Sequence, residues 1–175
     1  NQFIDNEEFH NSQITLLNQR YEPVLLNYDV FSQKIILQFA DLNKAIRQIE
    51  IPQNNITSFG WNSNHFEIAT LPGLHPRIYQ MIGAGNQQFY IYWSKKLVAN
   101  TLQNSKDYSF SRPYREIFYK NGRNISLVSG NRSLLKLVDP AHQNEVKKWL
   151  RTEKIKVQKA NDAQLIRLTQ FLLQL

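Results

Sequence analysis

The order of apolar and polar residues along this chain changes once, near Asn131. Before it, apolar residues sit in short runs between turn formers; after it, they recur three and four positions apart. Short runs bounded by Gly, Pro, Asn and Ser read as strands, and the i, i+3, i+4 recurrence reads as helix. The strand-like runs begin at 14–17 and 24–30, where Tyr21-Glu22-Pro23 bends the chain between them, and continue through 34–39 to 125–128. Two hairpins stand out. Gly83-Ala84-Gly85-Asn86 joins 77–82 to 88–95, and Lys120-Asn121-Gly122 joins 114–119 to 125–128. Asn-Gly and Gly-rich loops supply the positive φ that tight hairpins need. The polar stretch 100–111 reads as a loop, and residues 1–12, rich in Asp, Asn and Ser, read as a flexible start.

Beyond Asn131 the run Ser133-Leu134-Leu135-Lys136-Leu137-Val138 stops at Asp139-Pro140. The same pair suits the start of a helix over 141–152, since Asp is a good N-cap and Pro fits the first helical position. Val146, Trp149 and Leu150 then share one side, with Lys147, Lys148 and Arg151 off it. Asn161-Asp162 offers a further cap, and Leu165, Leu168 and Leu172 stripe a last helix over 163–175. An isolated helix this short is marginal in water, so it has to dock.

No helix of crossover length separates any two strands before Asn131, and parallel pairing needs one. The fold class is therefore α+β: an antiparallel β-meander or open barrel-like sheet of about eight strands, followed by a C-terminal helical segment. The expected organisation is a flexible segment 1–12 and a single domain 13–175, with a β body at 13–130 and a helical cap at 131–175.

The chain has 175 residues, long enough for a real core. It contains no run of about 18 apolar residues, so no helical membrane span is expected. It has no cysteine, which removes disulfides, thiolate chemistry and Cys-ligated zinc. The start, Asn1-Gln2-Phe3-Ile4-Asp5, carries neither an initiator methionine nor a signal peptide, which suggests a mature or trimmed chain. Net charge is +7, and it is uneven. From Asn131 on, nine basic residues face four acidic ones; the first 130 residues hold 12 and 10. A basic helical end can meet phosphate or anionic lipid, although these lysines are spread out rather than run together.

Chemistry is sparse. The four histidines show no metal-ligand spacing; His65 and Glu67 share a strand face but lack a third ligand. Gly83-Ala84-Gly85 is followed by Gln88 where a dinucleotide loop needs its third glycine. No carboxylate pair is forced together, so no catalytic residue, metal or cofactor is expected. The one mixed cluster is aromatic and basic: Arg112-Pro113-Tyr114-Arg115, with Tyr92 in the run 88–95 and Tyr119 at the end of 114–119. Aromatics interleaved with cations can stack bases or sugars. The candidate ligand or partner surface is thus Tyr92, Arg112, Tyr114, Arg115 and Tyr119, with Lys147, Lys148 and Arg151 from the helical end.

Three stretches carry a resemblance: Leu26-Asn27-Tyr28-Asp29-Val30-Phe31, Phe118-Tyr119-Lys120-Asn121-Gly122, and Ser133-Leu134-Leu135-Lys136-Leu137 followed by a basic helix, a Lys-x-Lys connector and a short final helix. From about Leu26 to the end the chain resembles an uncharacterised family of exported proteins common in Bacteroidetes. Val138 stands where that family would place a bulky aromatic. The resemblance implies a periplasmic or envelope location after signal removal, and no activity. The expectation is a non-enzymatic envelope protein that acts through protein contacts, with another envelope protein as partner. Two alternatives stay open: a small-ligand carrier with an aromatic-lined pocket, and binding of nucleic acid or an anionic surface by the basic C-terminal helices. Nucleic acid is the less favoured partner.

Overall fold

The computed structural model describes residues 1–99 and 107–175. In chain order the strands are β1 (His10–Leu16), β2 (Gln19–Asp29), β3 (Lys34–Ala40), β4 (Ile46–Ile51), β5 (Ile56–Trp61), β6 (Asn64–Ala69), β7 (Arg77–Ala84), β8 (Gln87–Ser94), β9 (Leu97–Ala99), β10 (Tyr108–Phe110), β11 (Tyr114–Asn121) and β12 (Asn124–Leu127). The helices are α1 (Asn131–Leu135), α2 (Gln143–Thr152) and α3 (Asp162–Leu172). Among the described residues no helix is long and apolar enough to cross a membrane. The chain forms two compact units. One is Asn1–Ala69 with Trp93–Arg115; the other is Thr70–Tyr92 with Glu116–Leu175.

In the first unit six strands run in the order β6-β5-β1-β2-β3-β4. β1 to β4 make the expected antiparallel hairpins, but β5 pairs with β1 and not with β4. Pro52 and the 3-10 turn Gln53–Asn55 turn the chain away from β4, and Leu17 N–H donates to Asn55 O at 3.0 Å, which seats β5 beside β1. The simple meander is corrected accordingly. Pro23 does not end a strand either. β2 runs through it because the β1–β2 register slips between Ser12 and Ile14, leaving Glu22 and Pro23 outside the ladder. A proline there forfeits no hydrogen bond.

Aromatic rings fill this unit. Phe59 and Phe66 stack at 4.8 Å, and Tyr28 meets both edge-on at 5.8 and 5.6 Å. Such pairs add about 0.5–1.5 kcal/mol each beyond area burial. The expected flexible start is tied to β2. Ile4 N–H donates to Tyr28 O and Val30 N–H to Gln2 O, both at 3.1 Å, and the buried Asn27 amide donates to Asn6 O and Glu8 O at 3.0 Å. The upper part of β2 extends past its pairing with β1, and its buried polar groups need partners. The expected loop 100–111 is also shorter at its far end, since 108–110 forms β10 against β9, with Phe110 edge-on to Phe31 at 5.2 Å. The remainder of that loop, 100–106, lies outside the described residues.

In the second unit four strands run β12-β11-β8-β7. Both hairpins form as the turn chemistry predicts, with φ of 95° at Gly83, 63° at Gly85 and 62° at Gly122. The three helices belong here, so four strands and the helices share one core. Leu165, Leu168 and Leu172 of α3 are buried, at about 1.5–3 kcal/mol each. Trp149 of α2 stacks on Phe171 of α3 at 4.7 Å. Gln80 of β7 donates to Asp162 at the start of α3 at 2.7 Å. Among the described residues neither unit's strands close on themselves, so the sheet is open. Ten strands pair in these orders, in place of about eight, and β9 and β10 form a separate two-stranded ladder.

Gly83 shows how closely α3 sits. A Cβ there would lie 2.6 Å from Gln87 O and 2.8 Å from Thr169 Cγ2, whereas one at Gly85 would meet nothing within 4 Å. Gly85→Ala should therefore cost about 1 kcal/mol, the backbone term alone. Gly83→Ala should cost about 1–3 kcal/mol more through overpacking. Thermal unfolding of the two variants checks the order, and equal losses would show that α3 does not bear on the hairpin.

Candidate functional site

The basic helical end forms a groove in the second unit between α1 and α2, about 590 Å³ in volume. One wall carries Arg132 and Lys136, and the other carries Lys147 and Arg151. Each pair is spaced i, i+4, which places both side chains on one helix face. Leu135 and Leu150 contribute the apolar lining, and Asn131, Gln143 and Asn144 add amides. No carboxylate lines it.

Local chemistry explains why the walls stand where they do. α1 opens at Gly130, whose N–H donates to Ser133 Oγ at 3.1 Å while Ser133 Oγ donates back to Gly130 O at 2.8 Å. Leu134 is fully buried and anchors it. Asp139 accepts from Ala141 N–H at 2.9 Å, a turn that precedes α2 so that the helix begins at Gln143, two residues later than Asp139-Pro140 suggests. α2 buries Val146 and Leu150 and leaves Lys147, Lys148 and Arg151 in solvent, as its periodicity predicts. The Asn131 side chain then joins the two walls. Its Nδ2 donates to Ile155 O at 2.7 Å and its Oδ1 accepts from Val157 N–H at 2.9 Å, so α1 is tied to the chain just past α2. Gln143 Nε2 donates to Val138 O at 3.2 Å and Asn121 Nδ2 to Leu137 O at 2.8 Å, which hold the connector. α3 is capped reciprocally: Asn161 Oδ1 accepts from Gln164 N–H at 2.9 Å and Gln164 Oε1 from Asn161 N–H at 3.0 Å.

The acidic residues of this end are engaged elsewhere. Glu153 pairs with Arg167 at 2.6 Å, Asp162 accepts from Gln80, Asp139 caps its turn, and Glu145 lies 3.9 Å from His142. No ion pair involves the four groove cations among the described residues. Like charges about 4 Å apart repel by roughly 1 kcal/mol in water. A groove that gathers four of them favours an anion.

The strand-borne candidates do not form one surface. Tyr92, in the second unit, has the Arg77 guanidinium 4.8 Å from its ring centre, and Arg77 also faces Glu116 at 3.5 Å. Arg115, in the first unit, lies 5.8 Å from the Trp93 ring, and Lys96 lies 5.5 Å from the exposed Tyr114. Arg112 is exposed. These cations lie over their own aromatic neighbours. Tyr119 is a correction: it is 1% exposed, in the core, and its hydroxyl donates to Gln87 Oε1. Its strand position alternates into the interior, which adjacent aromatics such as Phe118-Tyr119 leave ambiguous in sequence. Lys147 and Arg151 line the groove, while Lys148 is exposed on α2 outside that lining. Sequence reasoning missed Arg132, Lys136, Asn131, Gln143 and Asn144. The matching i, i+4 spacing of Arg132/Lys136 and Lys147/Arg151 was the signal available. His65 Nε2 does meet Glu67 Oε1, at 2.8 Å, and no group of three His, Asp or Glu residues able to hold a metal occurs among the described residues.

Compared with protein-family models, with curated proteins and with solved structures, the chain matches none.

Burial pushes the Tyr119 phenol above its ordinary value. In the unfolded chain it loses its proton near pH 10. Above that pH the unfolded state binds fewer protons than the folded one, so stability falls as pH rises. Melting temperature should drop above about pH 10, and Tyr119→Phe should flatten part of that drop; an unchanged slope would deny the buried phenol. At the groove, Asn131→Leu removes both hydrogen bonds of this amide, to Ile155 O and from Val157 N–H, a loss of about 1–3 kcal/mol. Denaturant unfolding measures it, and a loss below a few tenths of a kcal/mol would show that this amide does not tie the walls.

Proposed function

We propose that this protein is a non-enzymatic binding module that acts through contact with an anionic partner received in the groove between α1 and α2. The observation that carries the reading is the concave, carboxylate-free lining with Arg132 and Lys136 on one wall and Lys147 and Arg151 on the other. Its volume lies within the roughly 300–1,000 Å³ of ligand sites. The lining offers no carboxylate, imidazole or hydroxyl to act as nucleophile or acid–base pair, so it is suited to recognition. On the resemblance described above, the contact is set in the cell envelope.

The carrier reading has weaker support. The aromatic side chains of the first unit pack on one another, and none lines the α1–α2 groove.

Fluorescence anisotropy with labelled oligo-glutamate and labelled oligo-thymidylate, at low and moderate salt, tests the proposal on the full chain. At least one probe should bind at low salt and release as salt rises. The double variant Lys147→Ala, Arg151→Ala should weaken binding by about tenfold or more. Lys148→Ala, one position away and outside the groove, should change it by less than about twofold. No binding at low salt, or an equal effect of Lys148→Ala, overturns the groove as the site.

A further inference from the structure

The groove's lining also constrains which anion it receives. This inference rests on the reading of the groove as an anion site and adds the chemical class of the ligand. The cations stand on two opposing walls, and the lining between them includes Leu135, half-buried, and Leu150, 2% exposed. A ligand that fills this shape carries anionic groups on both sides of an apolar one. No aromatic residue lines the groove. Single-stranded nucleic acids bind such grooves by stacking bases on aromatic rings, about 1–3 kcal/mol per base, and that contribution has no counterpart here. A double helix presents its phosphates on a convex surface too broad for a groove of this volume. A bare inorganic anion would leave Leu135 in contact with water.

A polypeptide segment meets every requirement. An extended strand carries successive side chains to opposite sides, and a helix carries i, i+4 side chains on one, so Glu or Asp can flank a Leu, Ile or Phe at the spacing of the two walls. Arg132 and Arg151 present planar forks that carboxylates accept bidentately. The amides of Gln143 and Asn144 stand at the start of α2, within reach of a bound backbone. We infer that the α1–α2 groove receives an acidic segment of a partner protein, with an apolar side chain inserted toward Leu135 and Leu150 between its carboxylates.

Three labelled probes of equal charge, titrated into the full chain, test this: oligo-glutamate, the same peptide with leucines interspersed, and oligo-thymidylate. The leucine-bearing peptide should bind about tenfold tighter than oligo-glutamate, the gain expected from burying one apolar side chain in part. Leu135→Gln, at a half-exposed position, should abolish that advantage. Equal affinity of the two peptides, or tighter binding of oligo-thymidylate, overturns the acidic-peptide assignment while anion recognition stands. Failure of all three probes removes both readings. Should Leu135→Gln not fold, the comparison of the two peptides on the wild-type chain decides alone.

Discussion

One side-chain amide sets the geometry of the helical end. Asn131 sits at the first position of a five-residue helix that cannot hold itself, since isolated helices this short do not persist in water. Its two hydrogen bonds, to Ile155 O and from Val157 N–H, reach across to the segment that follows α2. With Leu134 buried beneath it, α1 is held beside the basic face of α2 against the repulsion of their charges. The groove between them is the product of that tie, and its charge is the product of what the rest of this end does with its carboxylates.

The contrast between the two sets of cations in this chain is instructive. Arg77, Lys96 and Arg115 lie over the rings of Tyr92, Tyr114 and Trp93, within 6 Å of the ring centres. A cation in that position is satisfied within its own fold, at about 0.5–1 kcal/mol where exposed. Arg167 is likewise paired with Glu153. Among the described residues the groove cations have neither a ring nor a carboxylate partner, and their charges add across a concave surface. Residue type does not separate the two sets; their surroundings do.

The strands follow the same logic of satisfaction. β2 is long because the polar residues at the start of the chain supply backbone partners to its buried Asn27 and Tyr28, and because a register slip lets Pro23 sit inside it without an unmade bond. Gly83 of β7 has no room for a methyl group between Gln87 O of β8 and Thr169 of α3, and the Gln80–Asp162 hydrogen bond fixes where α3 begins.

The sequence by itself determined the local elements: both glycine-bearing hairpins, the amphipathic faces of α2 and α3, the Asn161 cap, the antiparallel class and the concentration of charge after Asn131. Each of those depends on residues within a few positions of one another, where spacing and backbone preference act directly. Tertiary structure alone decided that β5 returns to β1, that residues 2–4 hydrogen-bond along the end of β2, that four strands share a core with the helices, and that Tyr119 is buried in that core. Those outcomes depend on which distant backbone groups remain unpaired and which apolar faces remain uncovered, quantities that no local window contains. The candidate site was half legible for the same reason. The exposed face of α2 is written in its periodicity, but Arg132 and Lys136 join Lys147 and Arg151 only because an asparagine amide and a buried leucine bring a second helix alongside.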